Sequence, residues 1–498
     1  MRASGILMPV FSLPSPHGVG TFGAHAYAFV DFLKKAGQRY WQLLPLGSTN
    51  YGDSPYQSFS AFAGNPYFID LDMLVDEGLL TAREIAACDF GDDEQRVDYG
   101  KLYRFRLPLL KQAFARFSPT AAYADFREKN AWWLDDYALF MALKDEAGEG
   151  CWINWDEPLR LRDEAALDLA KQRLSQEIAF YRFLQFVFDR QWQALKAYAN
   201  RNGVHIIGDI PIYVAYDSAD VWAHTEQFLL DKRGRPELVA GVPPDAFSED
   251  GQRWGNPLYD WDYMQQQRYA WWKQRLRHAF YLYDEVRIDH FRGFDAYFAI
   301  PASADTAKDG WWCQGPGMAL FEELKSEFGQ RLSIIAEDLG ILTESVHELL
   351  QATGFPGMKV LQFAFDPDGE SEYLPHNHTV NCVVYTGTHD NDTVMGWTRT
   401  ASPEEVALAR RYLHVDDAEG FHWAMIRAAL MSVADTAILC MADFMGLGSE
   451  ARINTPSTLG GNWQWRIADG CINDWLAGLI RENTAMYGRL PVETESDK

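Results

Sequence analysis

Three acidic motifs stand where apolar runs stop: RIDHFRG (Arg287–Gly293), IIAEDLG (Ile334–Gly340) and YTGTHDNDT (Tyr385–Thr393). Each begins as a strand and ends in a carboxylate beside Gly, Arg or His, as expected where a barrel strand gives way to a catalytic loop. Arg287 and Asp289 are two positions apart, so on a strand they share a face. A guanidinium beside a carboxylate favours its charged form, which suits Asp289 to attack an anomeric carbon. The same spacing also describes a structural ion pair. Glu337 closes the run Leu332–Ala336; a largely apolar wall would raise its pKa and hold a proton ready for a leaving oxygen. Asp338 would point the other way and reads as a structural hydrogen-bonder. Two carboxyl groups facing each other across a sugar are what retaining glycosidic bond cleavage needs.

THDNDT adds His389, Asp390 and Asp392. His and carboxylates are ordinary ligands of divalent metals, but no second His cluster or calcium-loop pattern completes such a site. A His donor and an anionic Asp beside sugar hydroxyls instead fit binding and distortion of the ring, so the reading favours sugar over metal. Asp209, in GDIPIYV, is a weaker candidate that would orient Arg287.

The elements that must position these residues are continuous apolar runs separated by helical patterns, the mark of buried parallel strands. They are VHIIGDIPIYV (204–214), YDEVRIDHF (283–291), LSIIAEDLG (332–340), MKVLQFAF (358–365), NCVVYTGTHD (381–390) and TAILCMADFMGLG (436–448). Two earlier strands, one of them within YWQLLPLGSTN (40–50), bring the total to eight. An open doubly wound sheet would gather its ligand groups at one switch point, whereas here acidic residues end several strands. The expected fold is a TIM (β/α)8 barrel with helical and loop insertions.

One catalytic unit over residues 1–498 is expected, with a mainly helical insertion over about 72–202 and a second over about 215–280. An amphipathic helix is expected at Ala24–Ala36, and residues Tyr99 to about Asn202 read as almost wholly helical. The stretch VAGVPPDAFSEDGQRWGNPLY (239–259) is rich in Pro, Gly and aromatics and reads as a lid rather than a solvent tail.

Acidic residues outnumber basic ones by 70 to 45, for a net charge of −25, which opposes any long contact with a phosphate backbone, so no nucleic acid partner is expected. No run of about 20 apolar residues suggests a membrane span, and the N-terminus is too weak for a signal peptide, so a cytoplasmic location is expected. The six cysteines form no C-x-x-C pair and read as reduced core thiols. Eighteen tryptophans offer flat faces for pyranose rings, although Trp also fills cores.

The blocks SGILMPVFSLPSPHGVGTFG, YWQLLPLGSTNYGDSPYQSFSAFAGNPYFIDLD, GDIPIYVAYDSADVW, GVPPDAFSEDGQRWGNPLYDW, RIDHFRGF, AEDLG, THDNDT and NTPSTLGGNWQWR resemble, in order, those of the 4-α-glucanotransferases, or amylomaltases, of the α-amylase-like clan. The resemblance implies transfer of an α-1,4-glucan segment to the 4-OH of another glucan or glucose, through a covalent glucosyl-Asp, with no metal and no cofactor. Carried onto matching positions, it implies Asp289 as nucleophile, Glu337 as acid/base and Asp390 as transition-state stabiliser. Arg287 and His389 would support the reacting subsite, Tyr56 would stack on the sugar there, and Asp209 would assist. Asp245, Phe247 and Trp254 would cover the acceptor side, and Asn462 would line the groove. A hydrolase could use the same carboxylates, a non-catalytic glucan binder could keep the same aromatic groove, and the oligomeric state stays open between monomer and homodimer.

Overall fold

The computed structural model describes residues 2–49, 52–244, 248–340 and 342–491. Eight parallel strands form its main sheet: β1 (Ala3–Leu7), β2 (Tyr40–Gln42), β3 (His205–Ile210), β6 (Glu285–Ile288), β9 (Ile334–Ala336), β10 (Gly357–Val360), β11 (Cys382–Tyr385) and β12 (Thr436–Cys440). Their order is β10-β11-β12-β1-β2-β3-β6-β9. Almost every residue on these strands is buried. That follows from parallel pairing, which leaves both faces of a strand covered and selects the continuous apolar runs seen in the sequence.

Between β9 and β10, the Ala336 N–H donates to Pro356 O at 2.9 Å, and the Asp338 carboxylate accepts the Met358 N–H at 2.6 Å. These bonds draw the two ends of the sheet together, so the strands form a nearly closed barrel. Asp338 is thereby committed to holding this seam, as its alternation with Glu337 requires. Gly357 allows the approach, since a Cβ there would lie 2.3 Å from Asp338 Oδ2.

The early helix spans Ala24–Lys35 and buries Phe29, Val30 and Leu33. Between β2 and β3 run three long helices, Tyr99–Arg116, Ala121–Glu146 and Ser175–Arg201, capped where short polar side chains precede them. Asp98 accepts the Lys101 N–H and Thr120 accepts the Tyr123 N–H, each satisfying a first-turn donor that the helix leaves unpaired. Buried aromatics such as Phe183 and Phe186 knit these helices together, Phe117 meeting Phe183 at 4.8 Å between ring centres.

A second sheet was not read from the sequence. It has four antiparallel strands in the order β5-β4-β7-β8: β4 (Leu238–Val242), β5 (Gln252–Pro257), β7 (Ala296–Pro301) and β8 (Trp311–Gln314). The reading confined this region to an insertion ahead of RIDHFRG, but two of the four strands follow that motif. Its strands are short, and Gly241 and Gly255 interrupt the alternation that would mark them. The stretch expected as a lid, 239–259, includes most of β4 and all of β5, on a sheet that also draws on the chain after β6.

All six cysteines are free, but only Cys382 and Cys440 are buried; the other four are partly exposed, unlike the core thiols expected. Among the described residues, no helix is long and apolar enough to cross a membrane.

Candidate active site

The strand register brings the acidic residues together. Asp209 on β3 lies directly beside Arg287 on β6, and β6 pairs in turn with β9, which ends one residue before Glu337. Arg287 donates from Nη1 to Asp209 Oδ2 at 2.6 Å and from Nη2 to Asp289 Oδ1 at 2.9 Å. Burial works against the charge of Arg287, but Asp209 and then Asp289 outweigh it and hold its pKa well above the ordinary value. Burial pushes the Asp209 carboxyl upward, while Arg287 pulls it back. The side chains of Arg287 and Asp209 are 4% and 0% exposed, whereas that of Asp289 keeps 32%. One carboxylate of the three-membered group is therefore anchored in the wall and the other is presented to the cleft.

Glu337 follows the last residue of β9, beside the end of β6 that leads into Asp289. Its main-chain N–H donates to Ile288 O at 3.1 Å, and the Phe291 N–H returns to Glu337 O at 3.0 Å. Its carboxyl accepts two further main-chain N–H groups, from His290 at Oε2 (2.7 Å) and Leu339 at Oε1 (2.9 Å). Removal from water, and next the negative charge of Asp289, push its pKa up to about 7, while Arg287 and the two N–H donors act in the other direction. His290 aims its N–H at Glu337 from the left-handed region, φ 54°, an uncommon conformation for a residue other than glycine. Its ring lies edge-on to Trp254 of β5, 4.9 Å between centres, and burial lowers its pKa to about 4, so it is neutral.

The opposite wall is aromatic. Tyr56 stacks on His389 at 5.1 Å and 17°, and Trp463 leans on both rings at 5.9 Å. The Tyr56 hydroxyl donates to Asp209 Oδ2 at 2.7 Å, so the ring is fixed from both ends. His389 Nε2 lies 3.4 Å from Asp390 Oδ1, and the Asp390 side chain is 45% exposed. A cavity of about 50 Å³ is lined by Tyr56, Asp209, His278 and Tyr283 among others.

Asp289, Glu337, Arg287, Asp209, Tyr56, His389 and Asp390 therefore line one region, with Trp254 beside it through His290. Asp245 and Phe247 lie outside the described residues. Asn462 uses its side chain within its own loop: Oδ1 accepts the Thr455 N–H at 3.0 Å, and Nδ2 donates to Thr458 Oγ1 at 3.0 Å. Asp392 turns away from the cleft and accepts from Ser449 Oγ at 2.7 Å. Among the described residues, no three His, Cys, Asp or Glu side chains are arranged to hold a metal ion.

Sequence reading missed His290, Trp463, Arg452 and Asn454. For Trp463, the Gly460-Gly461-Asn462 turn before a Trp was a usable signal. Nothing local marks His290, because the carboxyl that its N–H meets is 47 positions away.

The 4-alpha-glucanotransferase family model matches residues 8–472. A 4-alpha-glucanotransferase of Thermus thermophilus is 53% identical over 94% of this chain and 95% of its own length. One from Clostridium butyricum is 50% identical over 97% and 100%. The amylomaltase of Streptococcus agalactiae, solved in complex with acarbose, superposes with a TM-score of 0.96 at 43% identity, covering 99% of this chain and all of its own. With family, relatives and barrel in agreement, the chain belongs to the 4-alpha-glucanotransferases, the amylomaltase or disproportionating-enzyme family, and is a glycosyl-transferring enzyme.

Proposed function

We propose that this enzyme moves a segment of an α-1,4-glucan to the 4-OH of an acceptor glucan or glucose by a retaining double displacement at Asp289 and Glu337. One observation carries the reading: Glu337, with its pKa raised to about 7 by burial and by the charge of Asp289, follows the strand beside the one that leads into Asp289, whose carboxylate Arg287 holds at 2.9 Å. Two carboxyl groups made unequal by their surroundings divide into a proton donor and a nucleophile. Asp289 attacks C1 while Glu337 protonates the departing 4-oxygen, forming a covalent β-glucosyl ester. Glu337, now a carboxylate, takes the proton from the 4-OH of the incoming glucan. That oxygen displaces Asp289, and the α linkage is remade.

Asp390, beside His389 and free of Arg287, stabilises positive charge that develops on the sugar ring. The Tyr56 ring supplies a platform for the same sugar, and Arg287 and Asp209 hold the nucleophile. Trp254 covers the acceptor side, and Asn462 shapes the groove loop. Transfer outruns hydrolysis when the acceptor is held and water excluded, which is the task of this aromatic side. The complex of the Streptococcus agalactiae amylomaltase with acarbose supports a saccharide ligand for this enzyme. In this reading the chain is one catalytic barrel, with the helices over about 72–202 and the segment over about 215–280 as insertions.

Incubation with maltotriose tests the proposal. The expected products are glucose together with a ladder of longer maltooligosaccharides; glucose and maltose alone would show a hydrolase instead. An Asp289→Asn variant is expected to lose several orders of magnitude in rate, as befits a group that forms the covalent bond. Full activity in that variant would remove the nucleophile from the scheme.

A further inference from the structure

The segment from Arg452 to Arg466 crosses the mouth of the barrel as a strap. At one end, Asn454 Nδ2 donates to Asp390 Oδ1 at 2.6 Å, and the Asn454 N–H donates to His389 O at 3.1 Å. Arg452 adds Nη2 to Asp390 O at 2.8 Å and steadies Asn454 itself, with Nε donating to Asn454 O at 2.8 Å. The side chain and main chain of Asp390 are thus both held by residues some sixty positions later.

The strap is itself pinned. Trp463 adopts φ 62°, a costly conformation for a bulky residue, and persists there because the surroundings specify it. Its N–H donates to Ile453 O at 2.7 Å, closing the strap on itself. Tyr99, the first residue of the helix Tyr99–Arg116, donates its hydroxyl to Trp463 O at 2.7 Å. Alongside, the Val97 N–H donates to Gln464 O at 2.8 Å, and the Arg466 N–H donates to Gln95 O at 2.8 Å. The long helices between β2 and β3 begin at this clamp, which connects them to the cleft.

We propose that Asn454 is a positioning residue for Asp390, held at its station by a strap that the start of the helical insertion clamps through Tyr99. The inference rests on the reading of Asp390 as a group that acts on the sugar. With two lone-pair regions on Oδ1 facing Asn454 and His389, the carboxylate keeps Oδ2 for substrate and cannot rotate freely. Preorganisation of this kind lowers the barrier without strengthening ground-state binding, so it acts on kcat more than on KM.

A double-mutant cycle on the full chain, with maltotriose as substrate, tests this. Asn454→Ala is expected to lower kcat on the order of a hundredfold with little change in KM, the scale of a misplaced catalytic group. In an Asp390→Asn background it should cost almost nothing further, because the residue it orients is already gone. Asn454→Asp supplies a nearly isosteric control that guards against misfolding. The charged or titratable groups around that position are Asp390, His389, Arg452 and Tyr56. At low pH the new carboxyl can still donate to Asp390 Oδ1; once the new carboxyl ionises, the two side chains repel. The basic limb of the kcat profile should therefore move to lower pH.

Equal losses from Asn454→Ala in both backgrounds, or an Asn454→Asp profile that superposes on that of the unsubstituted enzyme, would overturn the inference. Loss of activity in Asp390→Asn with none in Asn454→Ala would sink the positioning role alone. An Asp390→Asn enzyme of unchanged activity would remove the reading of Asp390 as well.

Discussion

The main-chain N–H of His290 donates to Glu337 Oε2 at 2.7 Å, so the residue that follows Asp289 grips the carboxyl on the neighbouring strand. The left-handed turn at His290, φ 54°, is what aims that N–H at the neighbouring strand end. Asp289 and Glu337 are consequently coupled through one short stretch of backbone, and displacement of either strand end disturbs both.

In the proposed scheme Glu337 must be protonated to release the leaving group, and burial with the charge of Asp289 pushes its pKa up to about 7. The basic limb of kcat/KM should fall near that pH, and a limb that persists unchanged in the residual activity of Glu337→Gln would assign it to another group. Stability follows the same group with a definite sign. A carboxyl whose folded pKa is raised from 4.5 to about 7 binds its proton more tightly in the native state, so the protein loses stability as pH rises through that interval. Glu337→Gln avoids the loss, and its stability relative to the unsubstituted enzyme should improve between pH 4 and pH 8 by at most about 3 kcal/mol. Thermal melts at the two pH values measure it.

Arg287 balances two carboxylates, one of them with a fully buried side chain. Arg287→Met leaves Asp209 as an uncompensated buried charge, which costs about 3–5 kcal/mol at neutral pH. The loss should shrink at acid pH as Asp209 takes up a proton, and urea titrations at pH 7 and pH 5 show the difference. Arg287→Lys keeps the charge but not the fork, so it should retain more stability and still lose most activity.

In the proposed scheme Tyr56 has two separable duties. Tyr56→Phe removes the hydroxyl that donates to Asp209 at 2.7 Å but keeps the ring on His389, so kcat should fall by about tenfold with KM nearly constant. Tyr56→Ala also removes the platform and should raise KM for maltotriose markedly. Equal KM values in the two variants would detach the ring from substrate binding.

Gly208 precedes Asp209 on β3, and a Cβ there would meet the Tyr283 ring at 2.1 Å. Tyr283 is buried. Gly208→Ala should therefore destabilise the protein by about 1–3 kcal/mol, read from urea unfolding, and reduce activity by shifting Asp209. A variant as stable and active as the parent would show the strand to be more pliant than its packing suggests.

Much of this protein follows from the sequence. A run such as IIAEDLG combines apolar residues that demand burial on both faces with a carboxylate that cannot stay there, so it fixes a strand, its end and a candidate functional group together. Two-residue alternation likewise puts Arg287 with Asp289 and separates Glu337 from Asp338. What tertiary structure alone decided is which distant groups face one another. Asp209 meets Arg287 because β3 and β6 are paired in register. Glu337 acquires its pKa of about 7 because that pairing continues to β9. Asn454 reaches Asp390 because a strap with no periodic signal folds back over the barrel, and the four-stranded sheet assembles from pieces on both sides of β6. Local residue patterns encode burial and direction, whereas contacts between remote segments depend on register and closure, which no window of sequence contains.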